Sequence, residues 1–194
     1  MKEEKTEGIV LRAFAYRENE RILTVFTQEA GLISLIVKRL SSSLLSLASP
    51  FCRSEFLYRK GNTDLFRFLD GTPIDYHLFL REKLSYLDSA SALAHAVLSS
   101  QMPLKPAPAL YALLLSYLHH LPQFAQPASL LSSFYLKTLL HEGLYAADHS
   151  PFSLEEQKIV HALILCKQFQ ELEKCAVPAE LADKIHRFFK EKTS

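Results

Sequence analysis

The sequence predicts an α+β protein, with a small β-barrel at the N-terminus and an α-helical domain after it. Apolar and polar residues alternate over the first 76 residues, and turn signals recur there about every 8–12 residues. From residue 77 onward the apolar period changes from 2 to about 3.6. Because closure leaves no exposed strand edge, five short strands indicate a closed barrel of the OB type. We therefore predict a barrel domain, 1–76, and a helical domain, 77–194.

Five strands are predicted in chain order. In EGIVLRAFAY, Ile9, Leu11 and Ala13 are expected on one side of the first strand, with the even-numbered residues on the other. RILTVFTQ and LISLIVKR follow after the turns RENE and EAG, and Gly31 suits a positive φ. SSSLLSLAS is predicted as a serine-rich connection to the strand PFCRSEFLYRK. The turn KGN then leads to the fifth strand, DLFRFLDGTPID.

The second half predicts five helices. LFLREKLSYLDSASALAHAVLSS, ALYALLLSYLHH and PASLLSSFYLKTLLHEGLY each place apolar residues three or four apart. Gly143 is expected at the C-terminus of the third helix. Ser153 and Glu156 have the spacing of a capping box for the fourth, and Pro178 is expected to begin the last.

Composition excludes several classes of protein. The chain has 194 residues, 48% of them hydrophobic and 22% charged, which is typical of a globular protein. No apolar run of about 18 residues predicts a membrane span, and MKEEKTEG lacks the apolar segment of a secretory signal. Three cysteines fit neither a disulfide framework nor a zinc site. We therefore expect a cytoplasmic protein without a cofactor.

Positive charge is concentrated in the first half, although the formal net charge is only +1. Between residues 8 and 67 there are nine Lys and Arg against five Asp and Glu, whereas between residues 82 and 194 there are ten against eleven. Eight of the nine arginines precede residue 82. Since arginine is favoured for planar contacts to phosphates and bases, the barrel domain is predicted to bind a polyanion.

Cations at strand ends and turns are the candidate contacts to DNA phosphates. We predict this role for Arg17, Arg21, Lys38, Arg39, Arg59 and Lys60. In an antiparallel barrel such ends can converge on one face, where aromatic rings can also stack on bases. The candidate rings are Phe14, Tyr16, Phe56, Tyr58, Phe66 and Phe68. Arg12 and Arg67 are interpreted as solvated outer positions.

Catalysis is not predicted. The sequence contains no G-x-S-x-G, no phosphate-binding loop and no glycine-rich dinucleotide turn, and it has only five glycines. The eight histidines lie mostly in the helical half, and neighbours such as His119 and His120 point about 100° apart on a helix. We therefore predict neither an enzyme nor a metal site.

Motifs in both halves resemble the RecO family of bacterial recombination mediators. The first, AFAYRENERILTVFTQEAGLISLIVKRL, is similar to the family's N-terminal signature in these positions: Tyr16, Glu18, Glu20, Arg21, Ile22, Leu23, Thr24, Phe26, Thr27, Gly31, Ile33 and Lys38. SPFCRSEFLYRKGNTDL resembles its fourth and fifth strands. LSSFYLKTLLHEGLYAADHS resembles a helix of its helical domain, in Phe134, Leu136, Leu139, Leu140, Gly143 and Tyr145.

The resemblance implies a fold and a function. It implies an OB-fold followed by a helical domain, binding to single- and double-stranded DNA, and annealing of complementary strands. It further implies partnership with RecR and docking to the acidic C-terminal tail of single-strand-binding protein, so that RecA can load onto the coated strand. The expected location is the nucleoid.

Two departures from the family's pattern bear on these expectations. Many members carry a four-cysteine zinc module after the helix that ends at Gly143, but here no cysteine follows until Cys166, so zinc is not expected. Members often have a basic loop after the third strand, where this chain has only Lys38 and Arg39 before SSSLLSLAS. Fewer loop cations should weaken the attraction to phosphates.

Partner binding is predicted for the helical domain. An acidic tail with an apolar end would fit an apolar groove with a cation at its rim, and Lys137 beside Phe134 and Leu140 is the candidate. Two alternatives to a DNA-binding mediator remain open for the whole protein. The first is an adaptor with weakened DNA binding that works through protein contacts, and the second is an OB-type RNA-binding protein.

Overall fold

A computed structural model of the chain describes residues 3–38, 42–61, 63–146 and 151–194. Its N-terminal part contains five strands and one short helix: β1 (Glu3–Arg17), β2 (Glu20–Thr27), β3 (Gly31–Lys38), α1 (Ser42–Leu47), β4 (Arg53–Arg59) and β5 (Leu65–Asp75). The strands form a closed barrel in the order β1-β2-β3-β5-β4. Only the pairing of β3 with β5 is parallel. The predicted OB-type barrel, followed by helices, is thus confirmed.

Strand β1 closes the barrel because it pairs with two neighbours. Its first half, from Glu3 to Ile9, pairs with β4, and its second half, from Gly8 to Arg17, pairs with β2. The register shifts twice along the second pairing, between Val10 and Arg12 and again between Ala15 and Arg17. Such bulges bend a strand and increase its twist, which lets one long strand serve both edges.

The first bulge makes the predicted alternation of β1 wrong. Val10 joins Leu23 and the other barrel-interior residues, and Ala13 packs against the same cluster. Leu11, the residue at the bulge, is 6% exposed. An extra residue at a bulge reverses the inward and outward parity that follows it. Periodicity alone could not reveal this shift, because Ile9, Val10 and Leu11 are three consecutive apolar residues.

The serine-rich connection is also different from the prediction. Residues 42–47 form the helix α1, and Leu47 and Ala48 belong to the interior cluster of the barrel. Both are almost completely buried, at 3% and 0% exposure. Two leucines three residues apart, Leu44 and Leu47, are enough for one turn of helix to place apolar atoms against the barrel.

Residues 101–112 belong to the same compact unit as the barrel, together with Met1–Phe79. The amide of Leu104 donates a hydrogen bond of 2.9 Å to the carbonyl of Leu32. The Tyr111 hydroxyl donates one of 2.9 Å to the carboxylate of Glu7, which also accepts from Arg53 Nε at 2.9 Å. A functional boundary at residue 76 stays a prediction.

The second compact unit comprises Leu80–Ser100 and Leu113–Ser194. The helices of the second half are α2 (Leu84–Ser100), α3 (Pro108–His120), α4 (Ala128–His141), α5 (Leu154–Leu165), α6 (Phe169–Lys174) and α7 (Ala179–Thr193). The capping box of Ser153 and Glu156 is present, Pro178 precedes α7, and Gly143 has φ +70°. The short helix α6 was not predicted. No helix within the described ranges has both the length and the apolar character that a membrane crossing requires.

A buried polar link joins three parts of the helical unit. The hydroxyls of Tyr117 and Ser133 lie 2.8 Å apart, and Ser133 Oγ donates to the carbonyl of Leu163 at 2.7 Å. Burial raises the pKa of Tyr117 to about 12, so this hydroxyl keeps its proton over the physiological range. Since an unsatisfied buried hydroxyl is costly, the link also specifies how α3, α4 and α5 pack.

The close approach of the Lys105 backbone to Gly31 gives a prediction about stability. Gly31 has φ +69°, and a Cβ atom there would lie 2.0 Å from the carbonyl oxygen of Lys105. Gly143 has φ +70° and no atom within 4 Å of the same position. Gly143→Ala should therefore cost only the left-handed backbone, about 1–2 kcal/mol. Gly31→Ala adds a backbone clash and should lower the free energy of unfolding further.

Urea unfolding followed by circular dichroism measures both variants. If Gly31→Ala and Gly143→Ala lower the free energy of unfolding by the same amount, the carbonyl of Lys105 does not constrain residue 31.

Candidate nucleic-acid interface

Cross-strand register brings cations from several strands to the outer surface of the barrel. Arg17 pairs with Glu20, and Glu20 pairs with Lys38. One row further along, the cross-strand partners form the series Phe14, Ile22, Ile36, Arg67 and Arg59. Directly paired residues project from the same side of a sheet. The two rows therefore lie on the outer surface of the barrel, and the second row crosses all five strands.

We call the cations of this surface the basic face: Arg12, Arg17, Lys38, Arg59 and Arg67. Arg12 lies on the same side because its partner Thr24 pairs onward with Ser34. With strands about 4.8 Å apart, the four steps from β1 to β4 cover about 19 Å of the circumference of the barrel, and β4 then pairs with β1 again. Arg12, Arg17 and Lys38 therefore lie within two strand steps of one another, whereas Arg67 and Arg59 lie further around the barrel.

The remaining predicted cations lie elsewhere. Arg21 pairs with Ala15 and Val37 and has the parity of the barrel interior, so it lies at the mouth of the barrel beyond Leu23. Lys60 follows the last residue of β4. Arg39 lies outside the described residues. The structure thus places Arg17, Lys38 and Arg59 on the basic face and Arg21 beside it.

Three of the predicted cations pair with carboxylates. Arg59 Nη2 lies 2.5 Å from Glu3 Oε1, and Lys60 Nζ lies 2.8 Å from Glu4 Oε2. Lys38 Nζ lies 3.7 Å from Glu20 Oε1. The pairs of Arg59 and Lys60 are partly exposed and contribute at most about 1 kcal/mol, so a phosphate can compete with the carboxylate; the Glu20 side chain is only 17% exposed. By contrast, four arginines of the barrel strands form no ion pair among the described residues. These are Arg12, Arg17, Arg21 and Arg67.

Most of the predicted stacking rings are wrong, because they form the barrel core. Phe56, Tyr58, Phe66 and Phe68 are at most 8% exposed. Tyr58 and Phe66 stack on each other inside the barrel at 5.6 Å. Their spacing of two along β4 and β5 is the inward half of each alternation, and the outward half carries Leu57, Arg59 and Arg67.

Two rings of β1 remain on the surface. Phe14 is 42% exposed and Tyr16 is 48% exposed. The guanidinium carbon of Arg12 lies 5.6 Å from the centre of the Phe14 ring, and that of Arg17 lies 5.2 Å from the centre of the Tyr16 ring. Planar guanidinium groups favour such positions over aromatic rings.

Arg12 and Arg67 lie at exposed outer positions, as predicted. What the sequence did not reveal is which residues lie beside them: β5 runs parallel to β3, and this pairing sets Arg67 beside Ile36. A parallel pairing between non-consecutive strands is not visible in local periodicity.

The three residues predicted to bind a partner, Phe134, Lys137 and Leu140, lie in three different environments. Phe134 is 0% exposed and packs against Tyr117, with ring centres 5.3 Å apart. Lys137 Nζ donates a 2.6 Å hydrogen bond to the carbonyl of Cys166, the residue that caps the C-terminus of α5, and burial lowers the pKa of Lys137. Of the three, only Leu140 is exposed, at 51%. Their role in partner binding stays a prediction.

A groove among α2, α4 and α7 offers another apolar surface beside a cation, Lys190. Tyr135 and Phe189 form its apolar lining, while His95, His186 and Lys190 lie around it. The His186 ring stacks on Tyr135 at 5.2 Å. Burial, and then the positive charge of Lys190, lower the pKa of His186. This arrangement is suited to an anionic group attached to an apolar one.

Within the described ranges, no three His, Cys, Asp or Glu side chains gather closely enough to hold a metal ion. The raised pKa of Tyr111 is caused first by burial and then by its hydrogen bond to Glu7, which is a structural contact.

A closed five-stranded barrel with this strand order and a cationic outer face defines an OB-type domain. Residues 1–77 match the family described as "Recombination protein O N terminal". The chain is 26% identical to the DNA repair protein RecO of Chlamydia pneumoniae, over 94% of this chain and 85% of that protein. With RecO of Bacillus pumilus it shares 33% identity over 60% of this chain and 46% of that protein, and with RecO of Alkaliphilus metalliredigens 33% over 72% and 58%. The first 77 residues thus match a domain of the RecO family, and most of the chain is similar to proteins named DNA repair protein RecO.

The carboxylate within the basic face gives the next prediction. Glu20 lies in register between Arg17 and Lys38, so it repels a phosphate at that point. Glu20→Gln keeps the shape of the side chain and removes its charge. Because two charges about 4 Å apart interact by about 1 kcal/mol in water, affinity for single-stranded DNA should rise by up to about fivefold. Fluorescence anisotropy at low salt measures the change.

Glu171→Gln, on α6, is the matched control and should leave the affinity unchanged. Unchanged or weaker binding by Glu20→Gln would exclude Glu20 from the DNA-contacting surface.

Proposed function

We propose that this protein is a DNA-binding recombination mediator that acts in DNA repair. It binds single- and double-stranded DNA, anneals complementary strands, and together with RecR helps to load RecA onto DNA coated by single-strand-binding protein. The observation that carries this proposal is the set of outward-facing cations on the barrel, of which Arg12, Arg17 and Arg67 have no ion-pair partner among the described residues. The names of the relatives as DNA repair proteins support the same role. It is not an enzyme, and it acts in the cytoplasm at the nucleoid.

The proposed mechanism is charge neutralisation. Two complementary strands repel each other through their phosphates, and a cationic surface that holds both reduces this repulsion. Arg17, Arg21, Lys38, Arg39, Arg59 and Lys60 remain the proposed phosphate contacts, and Arg12 and Arg67 join them. Phosphate contacts carry no base information, so binding by these residues is independent of sequence.

Salt dependence tests this mechanism. If three to five phosphates of a single strand are neutralised, the logarithm of the binding constant should fall with the logarithm of salt concentration with a slope of roughly −2 to −3.5. Arg17→Glu with Arg21→Glu removes two contacts and should flatten the slope by about 1.4, besides weakening binding to all sequences alike. Fluorescence anisotropy over a salt series measures both quantities.

The matched control is Arg81→Glu with Arg187→Glu, which makes the same change in net charge at two exposed arginines outside the basic face. Its slope should equal that of the wild type, and its annealing of complementary labelled strands should be unaffected. A wild-type slope near zero would contradict direct DNA binding.

One alternative function is favoured by a specific observation. Because Lys38, Arg59 and Lys60 already have carboxylate partners, the protein could instead be an adaptor with weak DNA affinity. A slope near zero combined with undiminished RecR-dependent loading of RecA would establish the adaptor. Competition between RNA and DNA oligonucleotides distinguishes the DNA-binding mediator and the adaptor from an RNA-binding protein.

We place the acidic tail of single-strand-binding protein in the groove beside Lys190 by charge complementarity. Lys190→Glu reverses a charge at the groove and should weaken binding of an acidic peptide with an apolar end by about tenfold or more. Lys137→Ala should leave the affinity unchanged, because Lys137 Nζ is held by Cys166. Isothermal titration calorimetry measures both.

Lys167→Glu is the control, because Lys167 is exposed and lies outside the groove. If Lys137→Ala weakens peptide binding and Lys190→Glu does not, the tail binds at the position predicted from sequence instead.

A further inference from the structure

We propose that Phe14 and Tyr16 stack on unpaired bases, so that the basic face prefers single-stranded over double-stranded DNA. This inference rests on the proposed function and deepens it, because it names the form of nucleic acid that the surface selects. It starts from the exposure of the two rings. The buried rings of the barrel serve its core, whereas Phe14 and Tyr16 are 42% and 48% exposed.

The neighbours of these rings are those that a nucleotide requires. Along β1 the order is cation, ring, ring, cation: Arg12, Phe14, Tyr16 and Arg17. Each arginine lies over the neighbouring ring, at 5.6 Å and 5.2 Å. Neither arginine has an ion-pair partner among the described residues. A base on a ring therefore has an uncompensated positive charge close to its phosphate.

The geometry of β1 also separates the rings suitably. Residues two apart along a strand are about 6.6 Å apart, so each ring can contact a different base. The register shift between Ala15 and Arg17 places Tyr16 at the bulge. Bulges are known to redirect side chains next to binding sites. Phe14 lies on the outer side of the strand, in the row that leads through Ile22 to Arg67.

Charge identifies the occupant of this surface. An apolar protein surface placed over the rings would also bury Arg12 and Arg17 without a counter-charge, which is costly. A single strand of DNA supplies both unstacked bases for the rings and phosphates for the arginines. In a duplex the bases are paired and stacked on one another, so their faces are not available to the rings, although phosphates and groove edges still are. The rings should therefore add affinity for single strands alone.

The absence of tryptophan from the chain allows a direct test. Tyr16→Trp introduces a single fluorescent reporter, which stacking on a base should quench. Addition of an oligo-dT strand should quench this tryptophan, and a duplex of equal length should leave it nearly unchanged. Leu154→Trp, at a position that is 81% exposed in the helical unit, is the control and should not respond to either.

Affinity supplies an independent measurement. Phe14→Leu with Tyr16→Leu keeps apolar side chains but removes both rings, and should weaken oligo-dT binding by about tenfold or more. Duplex affinity and the salt slope should stay as in the wild type. Circular dichroism melting of the variant confirms that it is folded.

The outcomes separate the two proposals. Equal losses for single strands and duplexes, unchanged oligo-dT affinity, or equal quenching of Tyr16→Trp by both ligands would each overturn base stacking. If the wild type still binds DNA with a steep salt slope, the proposed function survives that result. If the wild type binds neither ligand, the proposed function fails as well.

Discussion

The pairing of β1 with two strands at once is the constraint on which the proposed binding surface depends. Following cross-strand partners around the barrel from Phe14, one passes Ile22, Ile36, Arg67 and Arg59 and then returns to β1 at Glu3. The path therefore returns eleven residues from where it began. Strands in such a barrel are strongly tilted, and one row of partners winds around it. Residues far apart in sequence consequently become neighbours on the surface.

Several cations on the outer surface of the barrel already pair with carboxylates of the protein itself. Glu3, Glu4 and Glu20 lie beside Arg59, Lys60 and Lys38. Ion pairs that stay accessible to solvent are weak, so under the proposed function a DNA phosphate could displace such a carboxylate, and these carboxylates would lower the affinity for DNA without preventing binding.

In the helical unit, charged and polar side chains complete the packing. Lys137 Nζ satisfies the carbonyl of Cys166 at the end of α5, and Ser133 satisfies that of Leu163 in its last turn. The last carbonyls of a helix have no partner within the helix, and buried ones need a donor from elsewhere. A lysine in an apolar helix can therefore be a capping group as readily as the rim of a binding site. The sequence pattern is the same in both cases.

What the sequence by itself determined about this protein is the set of local structures. Alternation, turn residues, the capping box and Pro178 predicted the strands and most helices, because backbone preferences and one-sided burial act over a few neighbouring residues. The surplus of arginine in the first half was also visible. Only the tertiary structure decided which side chains face outward. The bulge after Val10 and the parallel pairing of β3 with β5 set that choice, and both are long-range properties of the closed barrel. For this reason Phe14 and Tyr16 are separated from the four buried rings only once the strands are paired.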